Sequence, residues 1–441
     1  MSLPTLDTVQ KLQTALHAKA KEELQFRFYA LYDKMYRKDV LWVAWRRCLI
    51  NQGKPGADGQ SFEDIETYGV TKWLEELTEE LRSKTYQPQP VRRVYIPKSD
   101  GKQRPLGIPT IKDRVVQTAL LIVLEPIFEA DLQPEQFAYR ANRSALDAVQ
   151  EVHQLLATGH TEVVDADLSG YFDSIPHAEL MQCVARRISD KAVLHLIKLW
   201  LVAPVEERDA RGRRQRTTRN KDDRRGTPQG APISPLLANL YMRRFVLGWK
   251  TLGHEQKLEA RIVNYADDFV ICCRGTAHQA AVAMRTMMHR LKLTVNETKT
   301  HVCQLPQETF DFLGYTFGRC YSPRTGRAYL GTIPARKKVR NLCESLGALT
   351  GRKTLWLDSA ELVGRLNRCL VGWANYFRLG PVSKAYRAVD TYVTNRLRRW
   401  LCEKHKLPGR GLTRFPDDYL THQLGLVRLP QRTRNLPWAK A

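Results

Sequence analysis

The sequence lacks any run of about 18 consecutive apolar residues, the length that a membrane-spanning helix requires. It also lacks a charged-then-apolar leader, so we expect neither a membrane span nor a secretory signal, and we expect a cytoplasmic protein. The nine cysteines include no C-x-x-C pair, and the eleven histidines include no H-x-x-x-H pair. These absences argue against a disulfide framework, a zinc knuckle and a His-based nuclease module.

Acidic residues are few relative to basic ones. The 441 residues contain 70 Lys and Arg against 46 Asp and Glu, a formal net charge of +24. Residues 335–441 alone hold 22 Lys and Arg against 7 Asp and Glu, a net charge of +15. A polyanion gains Coulomb attraction and counterion release on such a surface, so the charge favours a nucleic-acid partner, with an anionic membrane surface as the alternative.

The chain is too long for one ordinary core, and its pattern changes along its length. Residues 1–90 are typical of helices, interrupted by a Gly/Pro/Asn/Asp-rich loop at 51–59. Residues 91–110 predict two strands joined by a turn at 99–101, and Ser144 with Asp147 predicts the start of a helix that ends at Gly159. From 334 onward the pattern is helical, with two apolar stripes formed by Leu362, Leu366, Leu370, Trp373 and Phe377 and by Tyr386, Val389, Val393, Leu397 and Trp400.

Two adjacent carboxylates, Asp267 and Asp268, interrupt the apolar run RIVNYADDFVICC. The alternation before them and the β-prone residues after them predict a hairpin that turns at this point. A polar turn is the ordinary explanation of such a pair. Like charges held together repel unless a cation joins them, however, so a divalent-metal site is the functional explanation.

A third carboxylate supports the metal interpretation. The segment TEVVDADLSGYFDSI, residues 161–175, predicts a strand that places Asp165 and Asp167 on one face before it breaks at 169–170. One acid from a strand and two from a hairpin turn are the parts of a palm-type two-metal polymerase site. Neither motif is specific alone.

The segment GTPQGAPISPLLANLYM, residues 226–242, lies between these two motifs. The set resembles reverse transcriptases, and among them the group II intron-encoded proteins. The blocks FAYRANRSALDAV, LNRCLVGWANYFRLG and GLVRLPQRTRNLPWAKA extend the resemblance over nearly the entire chain. The first block lacks the Pro and Gly of the family's F-R-P-G-R-S pattern, which affects the expected turn and not the fold.

The resemblance implies an α+β fold: a right-hand polymerase whose fingers and palm combine an antiparallel sheet with helices, followed by an α-helical thumb or maturase domain. The implied divisions are an N-terminal helical extension with a fingers loop at 1–90, fingers and palm at 91–333, the thumb at 334–402, and a basic C-terminal tail at 403–441. Because the sequence stops at Ala441, we expect no His/Cys endonuclease domain, and DNA insertion would need a primer from elsewhere.

The resemblance also implies which residues carry the chemistry. Asp167 and Asp267 would be metal ligands, Asp268 is the second member of the turn pair, and Leu168 would offer its backbone carbonyl. These groups would hold two Mg²⁺ ions, with Mn²⁺ as a possible substitute, and the ions would assist attack of a primer 3′-hydroxyl on a dNTP.

Six residues are implied to contact the incoming nucleotide: Lys98, Arg104, Phe172, Gln229, Gly230 and Lys299. The two finger cations, Lys98 and Arg104, would grip the triphosphate. Phe172, five residues after Asp167, would collide with a ribose 2′-hydroxyl and so select deoxynucleotides. Lys299 matches a lysine proposed to protonate the leaving pyrophosphate, although an ordinary surface lysine would look the same.

The implied partners are an intron or other structured RNA, an RNA template with a DNA primer, and a target DNA; the oligomeric state is open. The thumb arginines expected opposite the apolar stripes, where they would contact phosphates, are Arg365, Arg368, Arg396, Arg398 and Arg399. The polar tract at 206–225 is either an RNA contact or a solvated arm. The sequence favours neither.

Two other functions fit parts of this pattern. One is a relative released from its intron that serves DNA repair or phage defence with the same polymerase chemistry. The other is a splicing maturase with little or no polymerase role. The three acids and the aromatic gate argue against this last function, because a non-catalytic chain has no physical reason to keep mutually repelling carboxylates together.

Overall fold

The computed structural model of the 441-residue chain describes residues 4–97, 103–208, 213–322 and 324–432. The first part of the chain is helical, as expected, and it contains α1 (Pro4–Glu22), α2 (Tyr32–Met35), α3 (Lys38–Asn51), α4 (Phe62–Tyr68) and α5 (Val70–Arg82). A buried guanidinium attaches α1 to the rest of the molecule: Arg187 donates to the carbonyls of Glu23 at 3.0 Å and of Leu24 and Ala20 at 2.5 Å. These bonds satisfy carbonyl groups that the end of α1 would otherwise leave unpaired.

The fingers region is built on a four-stranded sheet in the order β2-β1-β4-β5. Its elements and the helices that follow them are β1 (Val91–Pro97), β2 (Gln103–Ile108), α6 (Ile111–Glu129) and α7 (Ala145–Ala157). Ser144 and Asp147 form the expected capping box at the start of α7. The strand pair β1–β2 is confirmed, and its turn at 99–101 lies outside the described residues.

The palm region contains the second four-stranded sheet, in the order β6-β7-β3-β8. Its elements are β3 (Glu162–Asp167), α8 (Tyr171–Ser174), α9 (His177–Ala185), α10 (Lys191–Leu201), β4 (Val205–Arg208), β5 (Arg214–Thr217), α11 (Arg219–Asp222), α12 (Ser234–Thr251), α13 (His254–Lys257), β6 (Ala260–Tyr265), β7 (Asp268–Cys273), α14 (Ala277–Arg290) and β8 (His301–Gln304). Strands β4 and β5 belong to the fingers sheet, so the polar tract at 206–225 begins as a hairpin arm paired to β1.

Each face of the palm sheet packs against a hydrophobic core, and the alternation of side chains between the two faces determines where the acids lie. Val164 and Phe269 face the large core that includes α6, α12 and α14. Val163 and Val270 face a second core shared with α7 and with a three-stranded sheet of β9 (Phe310–Phe312), β10 (Tyr315–Tyr321) and β11 (Ala328–Pro334). Because successive strand residues point to opposite faces, Asp165 and Asp167 share the face of Val163.

The C-terminal part is helical, as expected, and contains α15 (Arg336–Leu349), a 3₁₀ turn (Arg352–Thr354), α16 (Ser359–Tyr376), α17 (Ser383–Lys404), a π-helical turn (Tyr419–Gln423) and α18 (Leu429–Arg432). The two predicted apolar stripes pack against each other: Leu366 and Leu397 are fully buried in one core. Among the described helices, none is long and apolar enough to cross a membrane.

The segment after Lys404 differs from the expected basic tail. Phe415, Leu420, Leu426 and Leu429 are buried in the same core as α15, α16 and α17. The described thumb domain therefore continues to Arg432 and does not end at residue 402.

Candidate active site in the palm

The strand register brings the predicted acids together. Asp167, the last residue of β3, is the direct antiparallel partner of Asp268, the first residue of β7. Directly opposed residues project to the same face, with Cα atoms about 4.5–5.5 Å apart. Asp267 lies in the two-residue turn between β6 and β7, and Asp165 lies one pleat further along the same face. The structure thus groups four carboxylates.

The turn that carries Asp267 is strained, and hydrogen bonds from a buried neighbour stabilise it. Ala266 has a φ of 60°, a left-handed conformation that a residue with a Cβ adopts at a cost of about 1–3 kcal/mol. The fully buried Asn264 donates from its side chain to the Ala266 carbonyl at 2.8 Å. The Asn264 backbone N–H donates to the Glu135 backbone carbonyl, and the Asn264 carbonyl accepts from the Phe137 N–H, both at 2.9 Å. The sequence signal for this role is a lone amide inside an apolar strand.

Burial, with neighbouring negative charge, raises the pKa of Asp165, Asp267 and Asp268. Burial raises the pKa of Asp268 to about 7, and the charges of Asp165, Asp267 and Asp167 add to the rise. Burial also raises the pKa of Asp165 to about 6, against the opposing effect of His301. For Asp267, burial and then Asp167 raise the pKa, whereas Arg104 and Lys299 lower it. A cation would relieve this accumulation of negative charge.

Carboxylate and carbonyl oxygens are the ligands that Mg²⁺ prefers, so the residues present fit such an ion. Across the described ranges, however, no group of three or more acidic, His or Cys side chains is drawn together tightly enough to hold one without adjustment. Asp167 Oδ2 instead accepts from Lys299 Nζ at 3.0 Å and from Asn296 Nδ2 at 2.9 Å. Protein donors hold this carboxylate.

The loop before β8 supplies these donors and bonds to the end of β3. The Asn296 backbone N–H donates to the Asp167 carbonyl at 2.8 Å, and the hydroxyl of Thr300 accepts from the Asp167 N–H at 3.3 Å. Leu168, whose side chain is buried, forms an antiparallel bridge with Val295. Asn296 is a site residue that sequence reasoning missed, because its partner lies far away in the chain.

Of the residues expected to meet a nucleotide, Lys299 bonds to Asp167 and Arg104 acts on Asp267. Arg104 is exposed on β2 and lies close enough to lower the pKa of Asp267. Phe172 is half-buried and its carbonyl accepts from Thr227 N–H at 2.7 Å. Lys98 lies outside the described residues.

The Gln229–Gly230 turn docks on the fingers sheet. The Gln229 carbonyl accepts from the Gly107 N–H at 2.6 Å, and its side chain donates to Asp173 at 3.4 Å. Gly230 has a φ of +107°, and a Cβ there would lie 2.4 Å from the Gly107 carbonyl oxygen. Only glycine fits both constraints.

Tyr139 is a second residue near the site that the sequence did not indicate. It is 52% exposed, has a φ of 55°, and its pKa is raised by burial and by Asp267. The turn is anchored by Arg140, which forms a buried ion pair with Glu129 at 2.6 Å. This anchor acts where the sequence departs from the family's Pro–Gly turn.

The thumb arginines divide into two groups, which corrects the expectation that all five face outward. Arg398 is 6% exposed and donates to the Phe415 carbonyl at 2.9 Å and to Asp417. Arg396 is half-buried and donates to Thr350 and Gly347. Both join helices to neighbouring segments. The remaining three lie at the surface: Arg365, Arg368 and Arg399.

A palm sheet with opposed acids, a fingers sheet docked on a P-Q-G turn and a helical thumb define a polymerase of the reverse transcriptase class. A family model described as reverse transcriptase (RNA-dependent DNA polymerase) matches residues 96–317, and the chain belongs to this family. It therefore contains an RNA-directed DNA polymerase domain.

Within the family, the chain is of the group II intron type. A second family model, the group II intron maturase-specific domain, matches residues 339–415. The chain is 33% identical to Protein YkfC of Escherichia coli K12 over 378 residues, which are 77% of this chain and 96% of that protein. It is 28% identical to the group II intron-encoded protein LtrA of Lactococcus lactis over 406 residues, which are 76% of this chain and 62% of LtrA. The chain thus spans less than two thirds of LtrA.

Among solved structures, a chain of a partial Cas6-RT-Cas1–Cas2 complex overlaps 59% of this chain and 41% of its own length, with 22% identity and a TM-score of 0.36. This overlap is too limited to add to the family assignment.

Proposed function

We propose that this chain copies an RNA template into DNA by two-metal phosphoryl transfer from dNTPs, and that it binds a structured intron RNA. The observation that carries the catalytic proposal is the direct pairing of Asp167 with Asp268, with Asp267 in the adjoining turn. A pair of bound Mg²⁺ or Mn²⁺ ions would supply Lewis-acid activation of the primer hydroxyl and charge neutralisation at the phosphates.

Asp167 and Asp267 are the proposed ligands, together with the Leu168 carbonyl, and Asp268 contributes charge beside them. Asn296 orients the Asp167 carboxylate by donating to one of its oxygens. Lys299 donates to the same oxygen at 3.0 Å, and its ammonium is assigned the role of donating a proton or a hydrogen bond to the leaving pyrophosphate.

Selection of the nucleotide is assigned to the surrounding residues. Arg104 on β2 provides positive charge for the triphosphate near Asp267. The family resemblance assigns the same role to Lys98, which lies outside the described residues. Phe172 follows Asp167, the last residue of β3, by five residues, and its aromatic ring is assigned to the ribose side of the nucleotide, where a 2′-hydroxyl would collide with it. Gln229 and Gly230 lie where the palm contacts the fingers sheet, and the absence of a Cβ at Gly230 allows the close approach to Gly107.

RNA binding is assigned to the maturase domain. Its matched residues 339–415 carry the partly exposed Arg365 and the exposed Arg368 and Arg399 on the thumb helices. Contacts with several phosphates make binding strongly salt-dependent, because each neutralised phosphate releases counterions.

Extension of an oligo(dT) primer on poly(rA) with Mg²⁺ and dTTP tests the catalytic proposal. Asp267→Ala should abolish extension and leave RNA binding, measured on filters, near the parent value. Asp33→Ala is the matched control, because Asp33 is an exposed carboxylate on α2. Full extension by Asp267→Ala would reject the site, and a parent chain that extends no primer would reject the function.

A further inference from the structure

The loop between α15 and α16 exposes one aromatic side chain at the end of the thumb. Trp356 is 76% exposed. Single exposed apolar residues are common on protein surfaces and need no explanation. Trp356 is different because the backbone on both sides of it is fixed.

One ammonium group fixes that backbone. Lys404, at the end of α17, donates from Nζ to the carbonyl of Leu355 at 2.9 Å and to the carbonyl of Leu357 at 2.7 Å. The Leu357 side chain, 1% exposed, is buried in the thumb core. Trp356 lies between two anchored residues, so its indole is presented outward by a rigid support.

A second contact braces the start of the same loop. The indole N–H of the buried Trp400 donates to the Thr354 hydroxyl at 3.1 Å, and that hydroxyl donates to the Gly351 carbonyl at 2.7 Å. A rigid aromatic surface loses little conformational entropy when a ligand stacks on it, which favours binding.

Basic residues lie near Trp356 in the chain. Arg352, whose side chain is 84% exposed, and the exposed Lys353 precede Trp356 on the loop. Glu403, which lies between Arg352 and Arg399, forms ion pairs with both. The two acids that follow the loop are also engaged: Asp358 caps α16 through the Ala360 N–H, and Glu361 pairs with Arg365.

The position of the loop separates it from the catalytic centre. Helix α15 starts at Arg336, two residues after β11 of the three-stranded sheet, and its 14 residues correspond to a length of about 21 Å. The loop follows the far end of α15. A partner bound there contacts the thumb beyond the palm.

We propose that Arg352, Lys353 and Trp356, here named the thumb-tip platform, bind an unpaired base of structured RNA, with the indole stacked on the base and the two cations on flanking phosphates. This combination of an aromatic face with adjacent positive charge is how proteins hold unpaired nucleotides. RNA exposes such bases in its loops and bulges, where most protein recognition of RNA takes place. The inference rests on the proposed RNA-binding function and adds a contact mode to it.

Fluorescence of 2-aminopurine tests the platform. The probes are an RNA hairpin with the fluorophore in its loop, a blunt RNA duplex of the same stem, and a DNA hairpin of the same sequence. Trp356→Ala in the full chain should weaken binding to the RNA hairpin about tenfold and reduce the quenching on binding, as expected for the loss of one stacked base. Trp356→Phe should restore most of both. Affinity for the blunt duplex should not change.

Val282→Ala provides a matched control, since Val282 is 64% exposed on α14, outside the thumb. Thermal melting verifies that each variant is folded. An unchanged affinity of Trp356→Ala for the RNA hairpin would overturn the platform. An equal loss of affinity for the blunt duplex, or for the DNA hairpin, would overturn it as well. Self-association lost on substitution of Trp356 would instead assign the indole to a protein interface.

Primer extension on poly(rA) separates the platform from the catalytic proposal. Asp267→Ala should lose extension and still bind the RNA hairpin with the parent affinity, because Asp267 lies in the palm turn and the platform lies between α15 and α16. A parent chain that binds the hairpin but extends no primer contradicts only the catalytic proposal. A Trp356→Ala chain that extends normally and binds the hairpin like the parent contradicts only the platform.

Discussion

Asn296 holds Asp167 at two points: its side-chain amide donates to Asp167 Oδ2 at 2.9 Å, and its backbone N–H donates to the Asp167 carbonyl at 2.8 Å. The side-chain bond fixes the direction of the carboxylate. The backbone bond is independent of the residue type, so a substitution can remove orientation while keeping the loop in place.

Asn296→Ala should therefore lower kcat for primer extension by roughly 10- to 100-fold, because a hydrogen bond to a charged group contributes about 1.5–3 kcal/mol. Thr298→Ala is the control, since the Thr298 hydroxyl donates only to the Asn296 side chain at 2.8 Å. Steady-state extension over a range of Mg²⁺ concentrations gives the measurement. Parent activity in Asn296→Ala would show that Asp167 needs no such support.

Gly230 is the closest contact between palm and fingers that a side chain would disturb. Gly230→Ala should reduce kcat/KM for dNTP at least tenfold, because the new Cβ would lie 2.4 Å from a backbone carbonyl in a residue with φ +107°. Gly326→Ala is matched to it, since Gly326 has φ +65° and open space around its Cα. If both variants lost activity equally, left-handed strain alone would account for the effect.

Phe172 is expected to control the sugar. Phe172→Val and Phe172→Ala should raise kcat/KM for rUTP relative to dTTP on poly(rA) by about tenfold or more, because a ring that excludes a hydroxyl is removed. Extension with dTTP in the same variant serves as the internal reference. An unchanged ratio would eliminate Phe172 as the selecting residue.

Substitutions of Arg398 and Arg368 should have different effects, the first on the stability of the thumb and the second on its affinity for RNA. Arg398→Gln should lower the thermal midpoint, because it removes the buried donor that joins α17 to the Phe415 carbonyl and the Asp417 carboxylate. Arg368→Gln should leave the midpoint unchanged and reduce the slope of log affinity for RNA against log salt by about 1. The reverse pattern would invalidate the division made here between inward and outward arginines.

The sequence predicted those parts of the fold that depend on local pattern. The stripes through Leu366 and Leu397 follow helical periodicity, and the capping box at Ser144 follows from two residues three positions apart. The grouping of Asp167 with the hairpin acids came from family resemblance, and the strand register accounts for it physically.

Long-range contacts were beyond local pattern. Nothing near Asn296 indicates that it bonds to a strand 129 residues away. Likewise Arg398 and Arg399 are adjacent cations on one helix, and only the fold of the segment around Phe415 turns the first inward. The same segment extends the thumb core beyond the boundary expected at residue 402.

The thumb and the three-stranded sheet beside the palm exchange hydrogen bonds in both directions. Tyr315 of β10 donates to the Tyr376 carbonyl at 2.6 Å, and Tyr376 donates back to the Leu313 carbonyl at 2.7 Å. If α16 moved outward, it would have to move the turn at Leu313 with it or break both of these hydrogen bonds. In the proposed function, where the thumb holds the duplex, these two bonds would couple thumb movement to the sheet beside the growing end. A variant that weakens the hold on the duplex should therefore also reduce the number of nucleotides added per binding event.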